Sequence, residues 1–200
     1  IYNLTPQISL SADYQSRHVK YTTDGYNDMY IKDDDGIHKH MLDIDKEYMF
    51  DNFKFGVNWQ KNGHNVYALA AYGNREPERN NFTDNGKYPA PDPESMLDIE
   101  AGYNYTSDSW YAGFNLYRMN CDNQFVQTGE QSDIGENLTV NIKDSYRMGI
   151  EMQAGVMPFK WLSIEGNAAL SQNRIKDFTE VVEDWDNGSA NIHYDNSTLA

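Results

Sequence analysis

Hydrophobic and polar residues alternate in the middle of the chain. Leu97 and Ile99 fall on one face of an extended strand, whereas Glu100 and Asn104 fall on the other. After a short polar break, the alternation resumes at Trp110. Two alternating runs around a short break predict a β-hairpin. Alternation alone leaves open whether the apolar face meets a protein core or lipid.

The same alternation recurs elsewhere, so the chain is predicted to be all-β. The further segments are residues 8–19, 53–60, 65–74, 145–156 and 161–171, with a last one expected near Asn191. The segment 145–156 is longer than the roughly five or six residues typical of a strand in a globular protein. It matches the roughly nine to eleven residues that a tilted strand needs to cross a membrane.

Short and long connections alternate between these segments. The short ones are residues 61–64, 106–109 and 157–160, and the long polar ones are roughly residues 22–44, 75–96, 121–143 and 174–190. Asn62 and Gly63 suit a tight turn because both residue types tolerate positive φ. Repeated long loops are uncommon in compact soluble domains. Outer-membrane barrels have short turns on one side and long loops on the other, so lipid is favoured for the apolar face.

Aromatic residues are placed near the predicted short turns. Trp110 and Trp161 follow turns and Tyr105 precedes one, which is typical of an aromatic girdle at a membrane interface. Ordinary cross-strand pairing of aromatic residues is the alternative. The polar face also contains glycines, which are expected to relieve crowding on the inside of a curved sheet: Gly56, Gly102, Gly113, Gly149 and Gly155.

Composition and charge argue against several classes of function. The formal net charge of -15 argues against nucleic acid as a partner, because phosphate binding needs a basic face. Cys121 is the single cysteine and is interpreted as a loop-edge residue that forms neither a disulfide nor a metal site. His38 and His40 share a face but lack a third ligand. No nucleophile or phosphate-loop motif occurs, so we predict no enzyme activity, no cofactor and no metal site.

Several motifs resemble the barrels of TonB-dependent outer-membrane receptors, particularly those of Bacteroidetes-type bacteria. The segment "NREPERNNFTD" at residues 74–84 resembles their Arg-Glu-Pro-x-Arg segment, and "PESMLDIEAGY" at 93–103 resembles the strand that follows it. Residues 114–152 and 161–178 continue the likeness in the same order. The resemblance covers roughly residues 50–180, and no motif is assigned in the first fifty residues or so.

The resemblance implies a barrel of about 22 strands plugged by an N-terminal globular domain. Such receptors bind a scarce solute, often a ferric siderophore, and import it with energy supplied through TonB. We therefore expect residues 1–200 to be one partial β-barrel domain, with the plug domain and the remaining strands absent. The predicted fold is an antiparallel up-and-down meander of about eight strands, with long outer loops and short periplasmic turns.

The expected location is the outer membrane of a Gram-negative bacterium. The expected partners are the receptor's own plug domain, TonB through that plug, a small-molecule solute such as a ferric siderophore, and outer-membrane lipid. An open piece of barrel has two unpaired sheet edges and an exposed apolar face, so the isolated chain is expected to self-associate.

Candidate contacts with solute or plug lie where strands meet the long loops. The predicted residues are Arg75, Glu76, Arg79, Gln124 and Glu130, the last two ending the segment 124–130. A structural network of ion pairs at the barrel rim is the alternative for the charged residues.

Other functions stay open on the sequence alone. A carbohydrate or cobalamin receptor of the same family is the nearest alternative to a siderophore receptor. A porin-like channel is a second alternative, and a plug domain encoded upstream would argue against it. A soluble β-sandwich or a lipocalin-like binding module is a third, but neither accounts for the long loops and the glycines within strands.

Overall fold

The computed structural model describes residues 1–83, 90–131, 135, 137–184 and 188–198. Nearly all of them lie in strands, as the alternation predicts. The elements are β1 (Tyr2–Asn3), β2 (Ile8–Asp33), β3 (Gly36–Lys61), β4 (His64–Arg75), α1 (Arg79–Thr83), β5 (Glu94–Thr106), β6 (Trp110–Gln131), β7 (Asn137–Phe159), β8 (Leu162–Ile175), β9 (Phe178–Asp184), β10 (Gly188–Tyr194) and β11 (Ser197–Thr198). Within the described ranges, no helix has the length and apolar character needed to span a membrane.

The strands form an antiparallel meander, which confirms the predicted fold class. Strands β1 to β8 pair in chain order, and β11 then pairs with β8, giving a nine-stranded sheet. The outermost strands β1 and β11 have two residues each, so seven strands form most of the sheet. Strands β9 and β10 form a separate hairpin between β8 and β11. The sheet is open at both edges, as a segment of a barrel would be.

Short turns join the strands at one end of the sheet. Asn62 and Gly63 join β3 to β4 with φ values of 51° and 82°, as the Asn-Gly pair predicts. Residues 107–109 join β5 to β6, and the Ser107 hydroxyl donates to the Trp110 carbonyl at 2.9 Å. Strand β7 continues to Phe159, so the predicted turn at residues 157–160 instead lies at residues 160–161.

Two of the four predicted long loops are wrong. Residues 22–44 lie in β2 and β3, which continue as a paired ribbon to Asp33 and Gly36. Most of residues 121–143 extend β6 and β7 in the same way. These ribbons are rich in polar residues because much of their surface is exposed, although Leu42, Leu138 and Ile142 within them are buried. The other two predicted loops do connect neighbouring strands of the sheet, but each contains short elements of its own. Residues 76–93 include α1, and residues 176–196 include the β9–β10 hairpin.

The sheet has one apolar face and one polar face. The side chains of Phe55, Ile99, Leu116, Val156 and Leu170 all lie on the apolar face and are exposed. We call this the outer face. The opposite face, called the inner face, is less exposed, and side chains from non-neighbouring strands meet across it, as on the inside of a curved sheet.

Aromatic pairs border the apolar band near the short turns. The rings of Tyr105 and Trp110 lie 4.7 Å apart, and those of Phe159 and Trp161 stack at 5.5 Å. Trp161 is 80% exposed, although tryptophan has the largest side chain of the apolar residues. This arrangement fits the predicted interfacial girdle, because Trp and Tyr favour the boundary between lipid and water.

Candidate functional site

Polar side chains are linked by hydrogen bonds across the inner face. The Tyr67 hydroxyl on β4 donates to Oδ1 of Asn115 on β6 at 2.9 Å, passing over β5. Asn115 in turn donates to the Glu100 carboxylate at 3.5 Å. Further down the sheet, Gln153 on β7 donates to Oδ1 of Asn104 on β5 at 3.3 Å. The inner face is therefore a polar wall with amide and carboxylate groups held in place.

Tyrosines on the inner face lie over glycines of the neighbouring strand. The directly opposed pairs are Tyr67 with Gly102, Tyr111 with Gly155, and Tyr117 with Gly149. A Cβ atom built at Gly102 would lie 2.4 Å from the Tyr67 ring, closer than real contacts allow. The predicted relief of crowding thus has a specific cause: the glycines leave room for tyrosine rings.

Charged groups concentrate in the middle of the inner face. Glu100, Tyr117, Met119, Arg147 and Glu151 border a cavity of about 460 Å³. Here a basic side chain stands among carboxylates, so the wall carries both signs of charge. A solute or protein surface that rests against this wall would meet donors and acceptors within a few ångströms of one another.

The connection between β4 and β5 folds over the inner face at the end of the sheet opposite the short turns. We call this end the outer end. The Arg17 guanidinium on β2 pairs with both carboxylate oxygens of Glu76. The ring of Phe82 in α1 stacks on Tyr21 of β2 at 5.0 Å. The Arg17 guanidinium also lies 5.4 Å from the centre of the buried Phe50 ring. We call residues 76–83 the cap segment, because these contacts hold it against the strands.

The other side of this connection is attached to the β6–β7 ribbon. Buried Asn81 donates to the Thr139 hydroxyl at 2.9 Å. The Asn141 side chain forms two hydrogen bonds of 2.9 Å with the backbone of Asp92. The same Asp92 also affects Tyr48 of β3. Burial, and in second place the negative charge of Asp92, raises the pKa of the Tyr48 hydroxyl. The connection therefore spans from β2 to β7 and closes part of the outer end.

Three of the predicted contact residues lie at this end of the sheet. Arg75 Nε lies 2.6 Å from Glu94 Oε2, and Glu76 pairs with Arg17. Arg79 begins α1, is exposed, and forms no ion pair with the residues that the structure describes. The two ion pairs agree with the rim-network alternative. A contact with solute or plug stays a prediction for all three.

The other two predicted residues lie on β6. The amide oxygen Oε1 of Gln124 accepts a hydrogen bond of 2.5 Å from the Ser145 hydroxyl. The backbone N–H of Glu130 donates to the Thr128 hydroxyl at 3.2 Å. Arg75 and Gln124 border the same cavity of about 430 Å³. The structure therefore brings two of the five predicted residues together, and their role as contacts likewise stays a prediction.

Sequence reasoning missed Arg17, Tyr21 and Phe82, the residues that hold the cap segment. Arg17 and Glu76 are 59 positions apart, and no sequence signal pairs them before the strand register is known. The interpretation of Cys121 as a loop-edge residue is wrong, because it lies within β6 opposite Met96. For the described part of the chain, no group of three or more His, Cys, Asp and Glu side chains is arranged to hold a metal.

The chain resembles known receptors in sequence pattern and in fold. The family model for "TonB dependent receptor-like, beta-barrel" matches residues 1–198. No curated protein sequence matches the chain. The match therefore extends the likeness to the first fifty or so residues, where no motif was assigned.

Solved structures of two transporters and an import receptor share the fold. The copper transporter OprC has a TM-score of 0.71 at 13% identity, covering 86% of this chain and 27% of that one. The FrpB iron transporter from Neisseria meningitidis, F3-3 variant, has a TM-score of 0.61 at 18% identity, with 86% and 24% covered. The ferric-catecholate import receptor Fiu from K12 E. coli has a TM-score of 0.59 at 17% identity, with 90% and 27% covered.

This chain spans about a quarter of the length of each of those transporters. At these identities the likeness shows the fold, whereas the family follows from the match over residues 1–198. The open meander, the apolar outer face and the polar inner face agree with a segment of such a barrel. The chain belongs to the family of TonB-dependent receptor β-barrels.

Proposed function

We propose that the intact receptor imports a ferric siderophore across the outer membrane of a Gram-negative bacterium, with energy supplied through TonB. In this proposal the present chain supplies part of the barrel wall. Its inner face meets the plug domain and the passing solute. TonB-dependent receptors are not enzymes, and no chemical step is assigned to the chain.

The two-faced sheet is the observation that carries this proposal. A band of exposed apolar side chains on the outer face would be costly in water but matches the hydrocarbon layer of a membrane. The inner face, by contrast, presents hydrogen-bonded amides and carboxylates. A wall with this polarity suits a protein-filled lumen through which a polar solute passes.

The choice of solute rests on the solutes for which the similar proteins are named. Two are named as an iron transporter and a ferric-catecholate import receptor, and a third as a copper transporter. Iron or copper is common to these names, which favours an iron or copper complex over a carbohydrate and over cobalamin, a cobalt complex. The proposal of a ferric siderophore is an analogy with the two iron proteins.

Uptake by cells tests the proposal directly. A strain lacking the receptor gene should lose uptake of radioactive iron supplied as a ferric siderophore, and the intact gene should restore it. Deleting TonB should abolish uptake while leaving the receptor in the outer membrane. A panel of chemically different siderophores is needed, with cobalamin and a maltodextrin as comparison solutes.

The outcomes separate the alternatives. Loss of cobalamin or maltodextrin uptake, with iron uptake unchanged for every siderophore, would contradict the proposed substrate class. Uptake that persists without TonB would contradict the energy source and favour a porin-like channel. Receptor abundance in isolated outer membranes must be equal in the strains compared.

A further inference from the structure

Two arginines lie on the outer face of the sheet, just beyond its apolar band. Arg118 on β6 takes the next position after Leu116 on that face, and Arg174 on β8 lies beyond Leu170 on the same face. A positive charge on the lipid-facing side of a barrel is costly at the bilayer midplane but costs little near the membrane boundary. The depth of these two side chains therefore decides what they can contact.

The length of β6 places Arg118 at a boundary of the apolar band. Trp110 begins β6 at the boundary near the short turns. Residues 110–118 rise about 21 Å along the membrane normal, at about 3.4 Å per residue and a strand tilt of about 40°. The apolar band of an outer-membrane barrel is about 25 Å tall. Arg118 therefore lies near the opposite boundary, at the outer end, where lipid headgroups replace acyl chains.

A tyrosine on the strand between the two arginines connects them. The Arg118 guanidinium lies 5.4 Å from the centre of the Tyr146 ring on β7, and Tyr146 is directly opposite Arg174 on β8. The Arg118 side chain thus leans toward β8. Tyrosine favours the boundary between lipid and water, which agrees with the depth of Arg118. We call Arg118, Tyr146 and Arg174 the basic site.

Neutral groups hold both arginine side chains in place. Arg118 Nε donates to Oδ1 of Asn120 at 3.1 Å, and Arg174 Nη1 donates to the backbone carbonyl of Asn196 at 3.0 Å. With its amide oxygen turned toward Arg174, Gln172 accepts from Nε at 3.0 Å and from Nη2 at 3.2 Å. Each guanidinium has five N–H donors, so some stay available in both. Because these partners are neutral, they leave the positive charges uncompensated.

The carboxylates around the basic site do not neutralise it. Asp122 is directly opposite Asp144 on the outer face, further from the apolar band. The backbone N–H of Lys176 donates to the Asp144 carbonyl at 3.0 Å, which brings another positive charge beside them. Asp195 lies in the adjoining connection. Within the described ranges, none of these aspartates lies within ion-pair distance of either arginine, whereas Arg75 is paired with a glutamate.

We propose that the basic site binds the phosphate group of a lipid in the outer leaflet of the membrane. Guanidinium groups form strong, charge-assisted hydrogen bonds with phosphate oxygens. The acyl chains of the same lipid would then lie along the apolar face, against Leu116 and Leu170, which are both exposed. The proposal rests on the outer-membrane location in the proposed function, but not on the solute that the receptor imports.

The strand register allows both arginines to contact one phosphate. Their Cα atoms are about 12 Å apart, given two strand spacings and an offset of about two residues. Two long side chains that converge from β6 and β8 can bridge that distance. The sequence gave no sign of this, because only the pairing of β6, β7 and β8 brings Arg118 and Arg174 to the same level of the sheet.

Lipid binding to the full-length receptor in detergent micelles tests the site. Native mass spectrometry follows titration with lipid A, a phosphate-bearing lipid, and with lipid A from which both phosphates have been removed. Wild-type receptor should bind the phosphorylated lipid more tightly. Arg118→Gln and Arg174→Gln should each weaken that binding about fivefold. Arg147→Gln is the control for lipid binding, because it removes the same group at the same level but on the inner face.

Inorganic phosphate distinguishes a lipid from a free anion. At a concentration equal to that of lipid A it should not displace the lipid, because the acyl chains add apolar contacts. Displacement at equal concentration would overturn the proposal. Rising salt should weaken binding of lipid A to wild type more than to the double variant, since the attraction is electrostatic.

Two further outcomes would overturn the proposal. One is equal binding of lipid A and the dephosphorylated lipid by wild type, or equal binding of lipid A by wild type and both arginine variants. The other is a receptor dimer that both variants lose while lipid A binding stays unchanged, which would assign the surface to a second copy. Heat-modifiable migration in gels confirms that each variant is folded. Solute import is not measured, so failure of this site and failure of the proposed import are distinguishable.

Discussion

Individual glycines determine how the inner face packs. Gly149 lies on β7 opposite Tyr117, and a Cβ atom there would lie 2.6 Å from the Leu170 carbonyl oxygen and 2.7 Å from the tyrosine hydroxyl. The carbonyl belongs to the backbone, so the contact cannot be relieved by a rotamer change. Close approach rather than positive φ is therefore what requires glycine at this position.

Replacing Gly149 with alanine should lower the stability of the intact receptor. Overpacking of this kind costs about 1–3 kcal/mol in the free energy of unfolding. Gly166→Ala on β8 is the matched control, because a Cβ atom at Gly166 meets nothing within 4 Å. Urea-dependent loss of heat-modifiable gel migration measures both. Equal midpoints for the two variants would contradict this account of the inner face.

Variants of Arg75 and Arg79 test whether these arginines contact solute or plug or only stabilise the barrel rim. Arg75 is paired with Glu94, whereas Arg79 forms no ion pair within the described residues. If the two arginines contact solute or plug as predicted, Arg75→Gln and Arg79→Gln should both reduce uptake several-fold at normal receptor levels. Iron uptake by cells measures this. Unchanged uptake in both variants would contradict the predicted contacts and would leave the ion pair with Glu94 as the role of Arg75.

The cap segment is the element that the sequence did not predict. It connects β4 to β5, yet its contacts reach β2 through Arg17 and Tyr21, and β7 through Thr139. The short helix α1 places Phe82 and Asn81 on the strands while Asn80 stays exposed. Closure of the outer end therefore depends on a few side-chain contacts rather than on strand pairing.

Removing the Phe82 ring should loosen the cap segment. Phe82→Ala deletes the stack on Tyr21, so residues 76–83 should be cut several-fold faster by an added protease in intact cells, because cleavage follows the population of open states. Asn80→Ala is the control, since Asn80 is exposed in the same helix. A Phe82→Ala cleavage rate no faster than that of the control would argue against an anchored cap.

The strands show which elements sequence reasoning can identify. Alternation located the parts of β3 to β8 that carry the apolar outer face, because a strand with one apolar face keeps a period of two. It failed for the outer parts of β2, β3, β6 and β7. There polar residues interrupt the alternation on both faces, so the segments look like loops although apolar residues such as Leu42, Leu138 and Ile142 also occur in them.

The pairing of residues is what the sequence could not provide. Tyr67 with Gly102, and Arg17 with Glu76, depend on strand register and on the fold of a connection, which hydrophobic pattern alone does not specify. Of the predicted contact residues, Arg75 ends β4, Glu76 and Arg79 follow it, and Gln124 and Glu130 lie within β6, and their role as contacts stays a prediction. Their partners were identified only in the structure.

The whole sheet carries its apolar face outward and its two edges open. Exposed apolar side chains extend across it from Leu10 to Leu170, and the described residues form no large core beneath them. The buried apolar side chains instead lie near the outer ends of the strands: Leu42, Phe50, Leu138, Ile142 and Ile175. Such a surface is stable in a bilayer or against another copy of the chain, but not in water alone.

The isolated chain should therefore self-associate. Residues 1–200 prepared without detergent should form oligomers or larger particles, because unpaired edges and the outer face are both covered by association. Detergent should reduce the particle size. Light scattering measures this, and a compact monomer at high concentration without detergent would contradict the expectation.

The orientation of the two faces is the central claim, and spin labels along β5 test it most directly. Single labels at residues 97–101, 103 and 104 are placed in the full-length receptor with Cys121 replaced by serine, in liposomes; Gly102 is left out because a side chain there would meet Tyr67. Collision with oxygen, which dissolves in lipid, should peak at Leu97, Ile99 and Ala101. Collision with a water-soluble nickel complex should instead favour the even-numbered inward positions. The opposite phase, or no period of two, would contradict a sheet that turns its apolar face to lipid.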